Sequence, residues 1–315
     1  MKIALPTPDA PLNIGTRGSP LALAQAYETR ARLMAAFDLP EAAFNVIVIK
    51  TTGDRVQDRA LREIGGKGLF TKEIEEAMLN KSIDIAVHSM KDMPVEQPEG
   101  LVLSTYLPRE DVRDAFISPT VKSLTELPNG AVVGTSSLRR HAQVKKVRPD
   151  LEVIEFRGNV QTRLKKLADG IASCSFLAMA GLNRLGMQNV IASPIEVTDM
   201  LPAVAQGAIG IEQRIDDERA TQMLAAIHHE ETSQRLAAER AFLAALDGSC
   251  ETPIAGLAEL HGDTLRLRGE IIRPDGTESL SGEISGPIAK GAEMGHELAL
   301  RLKARAPADF FDWTL

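Results

Sequence analysis

Aromatic residues are scarce: nine Phe, two Tyr and one Trp make up 4% of 315 residues. So thin a supply argues against stacking platforms for nucleic-acid bases. Cations are not in excess either. Lys and Arg total 36 against 43 Asp and Glu, a net charge of −7, so a global footprint for DNA or an anionic membrane is missing. No apolar run approaches the roughly 18 residues of a membrane span. The opening stretch MKIALPTPDAPLN has one Lys and no long apolar segment before its prolines, and no signal peptide is read there. Only two cysteines occur, Cys174 and Cys250, with neither zinc spacing nor the density of a disulfide framework; a reducing cytoplasm fits them. No cluster has metal-ligand spacing, and the adjacent His228-His229 suits a helix start better than a metal.

What remains is an ordinary globular composition, 44% hydrophobic and 25% charged, long enough for two or three domains. Strand-like LNIGT (12–16) precedes Ser19-Pro20, an N-cap hydroxyl followed by proline at the first helical position, and that helix runs to about Phe37. FNVIVIK (44–50), IDIAVH (83–88) and LVLSTY (101–106) are further strands, and the helix TKEIEEAML opens from a GGKGLF turn. A second set follows: strand AVVG, helix TSSLRRHAQVKK, strand LEVIEF, helix GNVQTRLKKLAD, strand SFLAM. Such alternation predicts parallel sheets with helices on both faces. NIGTRGSPLALAQ and VVGTSSLRRHAQ echo each other, as two similarly built α/β domains would. The last third changes character. A long amphipathic helix, a hairpin turning at Pro274-Asp275-Gly276 and a helix over about 290–304 predict a small α+β module.

Position is the informative feature of the charges. Arg17 and Ser19 follow one strand, Lys91 and Asp92 another, Ser136, Ser137, Arg139 and Arg140 a third, and Arg157 a fourth. Arg163 follows on the next helix, Lys67 sits in the glycine-rich turn, and Arg184 closes the segment after SFLAMAGL. Open α/β sheets bind ligands outside the carboxyl ends of their strands, where helix N-termini attract anions. Arginines repeated at that edge suit a ligand with several carboxylates or phosphates. The turn around Lys67 does not meet the phosphate-loop pattern, because Gly68 stands where Ser or Thr is needed. Asp92 is the exception in sign: a carboxylate among cations should stay ionised. It is either a salt-bridge partner or a counter-charge for a cation formed during reaction. His88 is a structural histidine on this reading. Cys250, in the loop LDGSCETP, is open to a role as a nucleophile, whereas Cys174 is flanked by apolar sequence and expected to be inert.

The segments TRGSPLAL, GGKGLFTKEIE, DIAVHSMKDMPVE, VGTSSLRR, RGNVQTRL, AGLNRLG, QGAIGIE and GSCETPI, in that order over about residues 12–260, resemble the hydroxymethylbilane synthase (porphobilinogen deaminase) family. The resemblance implies two periplasmic-binding-protein-like α/β domains with a central cleft plus a small C-terminal α+β domain. It places residues 1–107 and 208–226 in the first domain, 108–207 in the second and 227–315 in the third.

The implied activity is transfer chemistry of porphyrin, heme and tetrapyrrole biosynthesis. Four porphobilinogen molecules are condensed head to tail, four ammonia are released, and the linear tetrapyrrole is hydrolysed off. The implied cofactor is a dipyrromethane held by a thioether to Cys250. By the same match Asp92, Lys91 and Arg17 are catalytic. Lys67, Ser137, Arg139, Arg140, Arg157 and Ser19 hold the cofactor, while Arg17, Arg157, Arg163, Arg184 and Phe70 hold substrate. The family also implies a cytoplasmic monomer without nucleic-acid or membrane partners. Three positions depart from its pattern: Glu63 where some members have lysine, Ala205 where glycine is usual, and Ser249 where some have glycine. The rival reading, from another class, is a non-catalytic anion-binding module.

Overall fold

The computed structural model describes residues 4–55, 71–246, 248 and 253–311. The chain divides into two compact units, Met1–Arg109 with Ala208–Ser233, and Glu110–Gly207 with Gln234–Leu315.

The first unit is built on strands β1 (Leu12–Thr16), β2 (Phe44–Val48), β3 (Ile85–Ser89), β4 (Leu101–Tyr106) and β10 (Ile209–Arg214). Their order is β2-β1-β3-β10-β4. β1 runs parallel to β2 and β3, and β10 runs antiparallel to both of its neighbours. Leu12 and Ile14 of β1, Val87 of β3 and Ile209 and Ile211 of β10 bury one face against Leu33 and Leu224. Ile74 and Met78 cover Ala86 on the other.

The second unit repeats the plan with β5 (Asp114–Ile117), β6 (Val132–Gly134), β7 (Glu152–Ile154), β8 (Cys174–Ala178) and β9 (Ser193–Ile195), in the order β7-β6-β8-β5-β9. β6 is parallel to β7 and β8, and β5 is antiparallel to β8 and β9. Phe116 and Phe176 meet edge to face at 5.9 Å in its core.

The expectation of parallel sheets holds for four strands of each, and is corrected for the fifth: each five-stranded sheet carries one reversed strand. The cause is the path of the chain. β5 and β10 are the first strands laid down after the chain passes from one unit to the other, so each enters its sheet from the opposite end. Both are buried along their whole length.

Helix starts follow local chemistry. Ser19 Oγ accepts the Ala22 N–H at 3.2 Å, with Pro20 opening the helix Pro20–Phe37. Ser137 Oγ accepts the Arg140 N–H at 3.4 Å at the head of the helix Leu138–Val147. Asn159 Oδ1 accepts the Thr162 N–H at 2.9 Å before the helix Val160–Ala168. Each cap is worth about 1 kcal/mol, and each fixes a helix N-terminus just past the carboxyl end of β1, β6 or β7.

A three-stranded antiparallel sheet, β11 (Ile254–His261), β12 (Thr264–Ile272) and β13 (Ser279–Pro287), completes the second unit with the helix Gly291–Arg305. The turn between β12 and β13 has Asp275 Oδ1 accepting the Thr277 N–H at 3.0 Å and Gly276 at φ 75°. Glu239, fully buried on the helix Glu230–Ala245, accepts the Ala258 N–H of β11 at 2.8 Å and the Ala205 N–H at 2.7 Å. It thereby ties this small sheet to the segment that leads into β10. Among the described residues no helix is long and apolar enough to cross a membrane.

Candidate active site

β1 and β3 lie side by side and parallel, so the residues after Thr16 and after Ser89 emerge at one edge of the sheet. Arg17 and Ser19 come from the first. Asp92 comes from the second, at the end of the short 3-10 turn Met90–Asp92. These three line one cavity of about 80 Å³ together with Gln25, Thr71, His88, Ser89 and Met93. Asp92 itself is exposed, so its carboxylate belongs to the mouth of the cavity rather than to a sealed interior. Lys91 is half-buried on the same turn.

The wall beneath is cross-linked. Ser89 Oγ and the Gln25 side-chain amide exchange hydrogen bonds at 2.9 and 3.0 Å, joining β3 to the first helix. Gln25, Thr71, Ser89 and Met93 were not singled out from the sequence. Ser89 stood within HSMKD beside the residues that were, but Gln25 gave no local sign, because its partner is 64 residues away.

In the second unit the carboxyl ends of β6, β7 and β8 again share an edge. Ser136 Oγ accepts the Phe156 N–H at 3.0 Å, drawing the loops after β6 and β7 together. Ser137, Arg157 and Arg163 all emerge there. Arg163 Nε donates to the Gly158 carbonyl at 2.9 Å, and Arg184 Nη2 donates to the Gly207 carbonyl at 3.2 Å.

Arg139 and Arg140 are placed differently from what a ligand-facing pair suggests. They are 4% and 5% exposed and grip the fully buried Asp114 at 2.8 and 2.7 Å. Arg139 also donates to Gln143 and the Leu201 carbonyl, and Arg140 to the Phe176 carbonyl. Burial alone would raise the Asp114 carboxyl, yet the two guanidiniums outweigh it and hold it well below the usual carboxylate range. Two cations around one anion leave an excess positive charge at this edge. The Nε of each arginine is buried and has no partner among the described residues.

The two cysteines separate cleanly. Cys174 is fully buried in β8, and burial pushes its thiol up to about 12, so it is no nucleophile. Cys250, Lys67, Phe70, Glu63 and Ser249 lie outside the described residues. Ala205, the remaining departure, takes φ 60°, a left-handed conformation that favours glycine, and its buried hydrogen bond to Glu239 holds it there. His229 Nδ1 accepts the Thr232 N–H at 3.3 Å beside the start of the helix Glu230–Ala245. Among the described residues no cluster of His, Cys, Asp and Glu is placed to hold a metal.

Two mixed α/β sheets, each with capped helices and cationic side chains at the carboxyl edge of its parallel strands, define an α/β protein with cationic sheet edges. One of those edges also carries a carboxylate. Comparison with known proteins sharpens this class. Residues 12–222 match the family model described as porphobilinogen deaminase, dipyromethane cofactor binding domain, and residues 233–304 match porphobilinogen deaminase, C-terminal domain. The chain belongs to the porphobilinogen deaminase family. It is 66% identical over 310 residues to the porphobilinogen deaminase of Paracoccus denitrificans (strain Pd 1222), covering 98% of this chain and 99% of that protein.

Similar solved structures include a periplasmic substrate-binding protein of an ABC transporter from Coxiella burnetii, at 14% identity and TM-score 0.43 over 70% of this chain and 93% of that one. A putative methionine-binding lipoprotein from Bacillus subtilis is similar at 12% identity and TM-score 0.42, over 70% and 91% of the two chains.

Proposed function

We propose that the protein condenses four porphobilinogen molecules head to tail with release of four ammonia, then hydrolyses off the linear tetrapyrrole. It works as a cytoplasmic, monomeric transferase of tetrapyrrole biosynthesis. The observation that carries this reading is the cavity in which Asp92 stands with Arg17 and Ser19, in a chain of this family. The non-catalytic alternative leaves a carboxylate at an anion-binding edge without a purpose. Three domains are proposed, with residues 1–107 and 208–226 in the first, 108–207 in the second and 227–315 in the third.

A dipyrromethane carries acidic arms, and the donors present suit it. Ser19, Arg17 and Gln25 line the cavity of the first unit. Ser137, Arg157 and Arg163 stand at the edge of the second, each partly exposed. Cys250 is the attachment point in this proposal, and the high thiol pKa of Cys174 supports it by removing the other candidate. The group supplies an anchored pyrrole with a nucleophilic carbon. Lys67, Ser19, Ser137, Arg139, Arg140 and Arg157 hold it, the buried pair through the excess positive charge they leave around Asp114.

Arg17, Arg157, Arg163 and Arg184 bind acetate and propionate arms of the substrate, and Phe70 lies against a ring. Loss of ammonia from a substrate aminomethyl group leaves positive charge on the substrate's pyrrole. An anion fixed beside it lowers the energy of that charge as it develops. Asp92 is that anion, with Lys91 on the same turn. Its exposed position at the cavity mouth leaves room for a ring to lie against it.

Intact mass of freshly purified protein tests the proposal. A mass above the bare chain by one dipyrromethane is expected, and Cys250→Ser should abolish the excess. A bare-chain mass in active protein would remove Cys250 from its role.

A further inference from the structure

His88 of β3 and Glu212 of β10 form a buried diagonal pair across antiparallel strands, with Gly210 opposite His88 and Glu212 opposite Ala86. His88 Nε2 and Glu212 Oε2 are 3.0 Å apart. Glu212 is fully buried and His88 is 6% exposed. The other carboxylate oxygen, Glu212 Oε1, has no hydrogen-bond partner among the described residues. A buried carboxylate that rests on one partner demands a proton in that contact. His88 also lines the cavity that holds Asp92 and Arg17, which Glu212 does not. The pair therefore reaches from the dry interior to the site.

A carboxylate on one imidazole nitrogen fixes the ring and its tautomer, and leaves the second nitrogen able to take a proton. We propose that His88 and Glu212 are a proton-transfer pair serving the Asp92 cavity, with Glu212 holding the Nε2–H and Nδ1 exchanging protons with what the cavity binds. This rests on the pyrrole-condensing reading of the site. Each carbon–carbon bond made there turns the attacking ring carbon tetrahedral while it still bears its own hydrogen, and that hydrogen must then leave. The C–H bond breaks, its electron pair returns to the ring, and its proton passes to Nδ1 and from there to water. Asp92 then serves the charge, and His88 the proton.

Other charged groups lie near the pair. Glu75 of the helix Lys72–Leu79 interacts with both Glu212 and His88, and Arg17 and Asp92 line the cavity beside His88. Burial raises the Glu75 carboxyl from its ordinary value, the Thr71 hydroxyl opposes that, and the neighbouring Glu212 adds to it.

His88→Gln tests the proposal in the full-length protein, because glutamine keeps a donor for Glu212 but has no nitrogen that takes a proton. The expected result is an unchanged mass excess, an unchanged melting temperature and KM, and a kcat about 100-fold lower, with the pH profile of kcat altered. Glu212→Gln should change that profile in the same sense. A readout free of turnover is the 15N spectrum of the imidazoles in cofactor-free Cys250→Ser protein. The histidine signal perturbed by Glu212→Gln should be the Nε2–H tautomer. Wild-type kcat and pH profile in folded His88→Gln would make the pair purely structural and overturn the proposal. So would a His88 proton found on Nδ1, which decides the matter if the variant fails to fold. A wild-type protein with neither mass excess nor turnover would instead remove the porphobilinogen reading itself.

Discussion

Gln206 Nε2 donates to Asp114 Oδ1 at 3.0 Å and to the Val112 carbonyl at 2.8 Å, joining the two places where the chain passes between units. Asp114 already holds Arg139 and Arg140, so one buried carboxylate organises both passages. Asp114→Asn strands two buried guanidiniums and should cost about 3–5 kcal/mol of stability at neutral pH. Chemical unfolding curves measure it. The folded Asp114 carboxyl lies below its ordinary value. Its stabilisation is therefore complete above about pH 4 and is lost as pH falls further toward the folded value. The variant should lack that acid-side loss.

Asp92→Asn keeps the shape of the turn and removes its charge. Turnover should fall about 1,000-fold, while the mass excess from the bound dipyrromethane persists. Steady-state rates alongside intact mass check both halves; a near-normal rate would take Asp92 out of the chemistry.

The two cysteines should behave oppositely. Cys174→Ala, inside β8, should keep the mass excess and lose about 1 kcal/mol or more from the vacated volume. Cys250→Ser should lose the mass excess and all turnover. A pyrrole-reactive aldehyde in acid gives an independent colour readout for both.

Gly207 sits at φ 88°, and a methyl group there would stand 2.6 Å from the Glu110 carbonyl oxygen. That carbonyl belongs to the backbone and cannot swing aside. Gly207→Ala should therefore destabilise the protein by about 2 kcal/mol or more, as a left-handed alanine in a clash does. Thermal melting reports it.

The sequence carried the parts of this fold that are local. Ser19-Pro20 and Ser137 announce helix starts because a hydroxyl satisfies an N–H three residues on, and a reader of the sequence sees both partners. The position of Asp92 at a strand end was legible for the same reason: IDIAVH is apolar and ends in polar residues. β5 and β10 were not read as strands. DAFI begins with a buried Asp114, and IGIEQR ends with three buried polar or charged residues, Glu212, Gln213 and Arg214. Neither shows the alternation of a half-buried strand, and Asp114 and Glu212 meet their partners far along the chain, although Arg214 pairs with Asp217 three residues on. His88 meets Glu212 across 124 residues. The burial of Arg139 and Arg140 was hidden likewise, since nothing near them in sequence shows that Asp114 is their partner.

The position of β10 governs the order in which this protein can be made. β3 and β4 never touch as neighbours; β10 lies between them and is translated about a hundred residues later. A nascent chain that has emerged only as far as Gly207 already contains every strand of the second five-stranded sheet, but the first still has a gap. Until that last strand arrives the first sheet cannot close, and β3 and β4 each keep an edge without its partner.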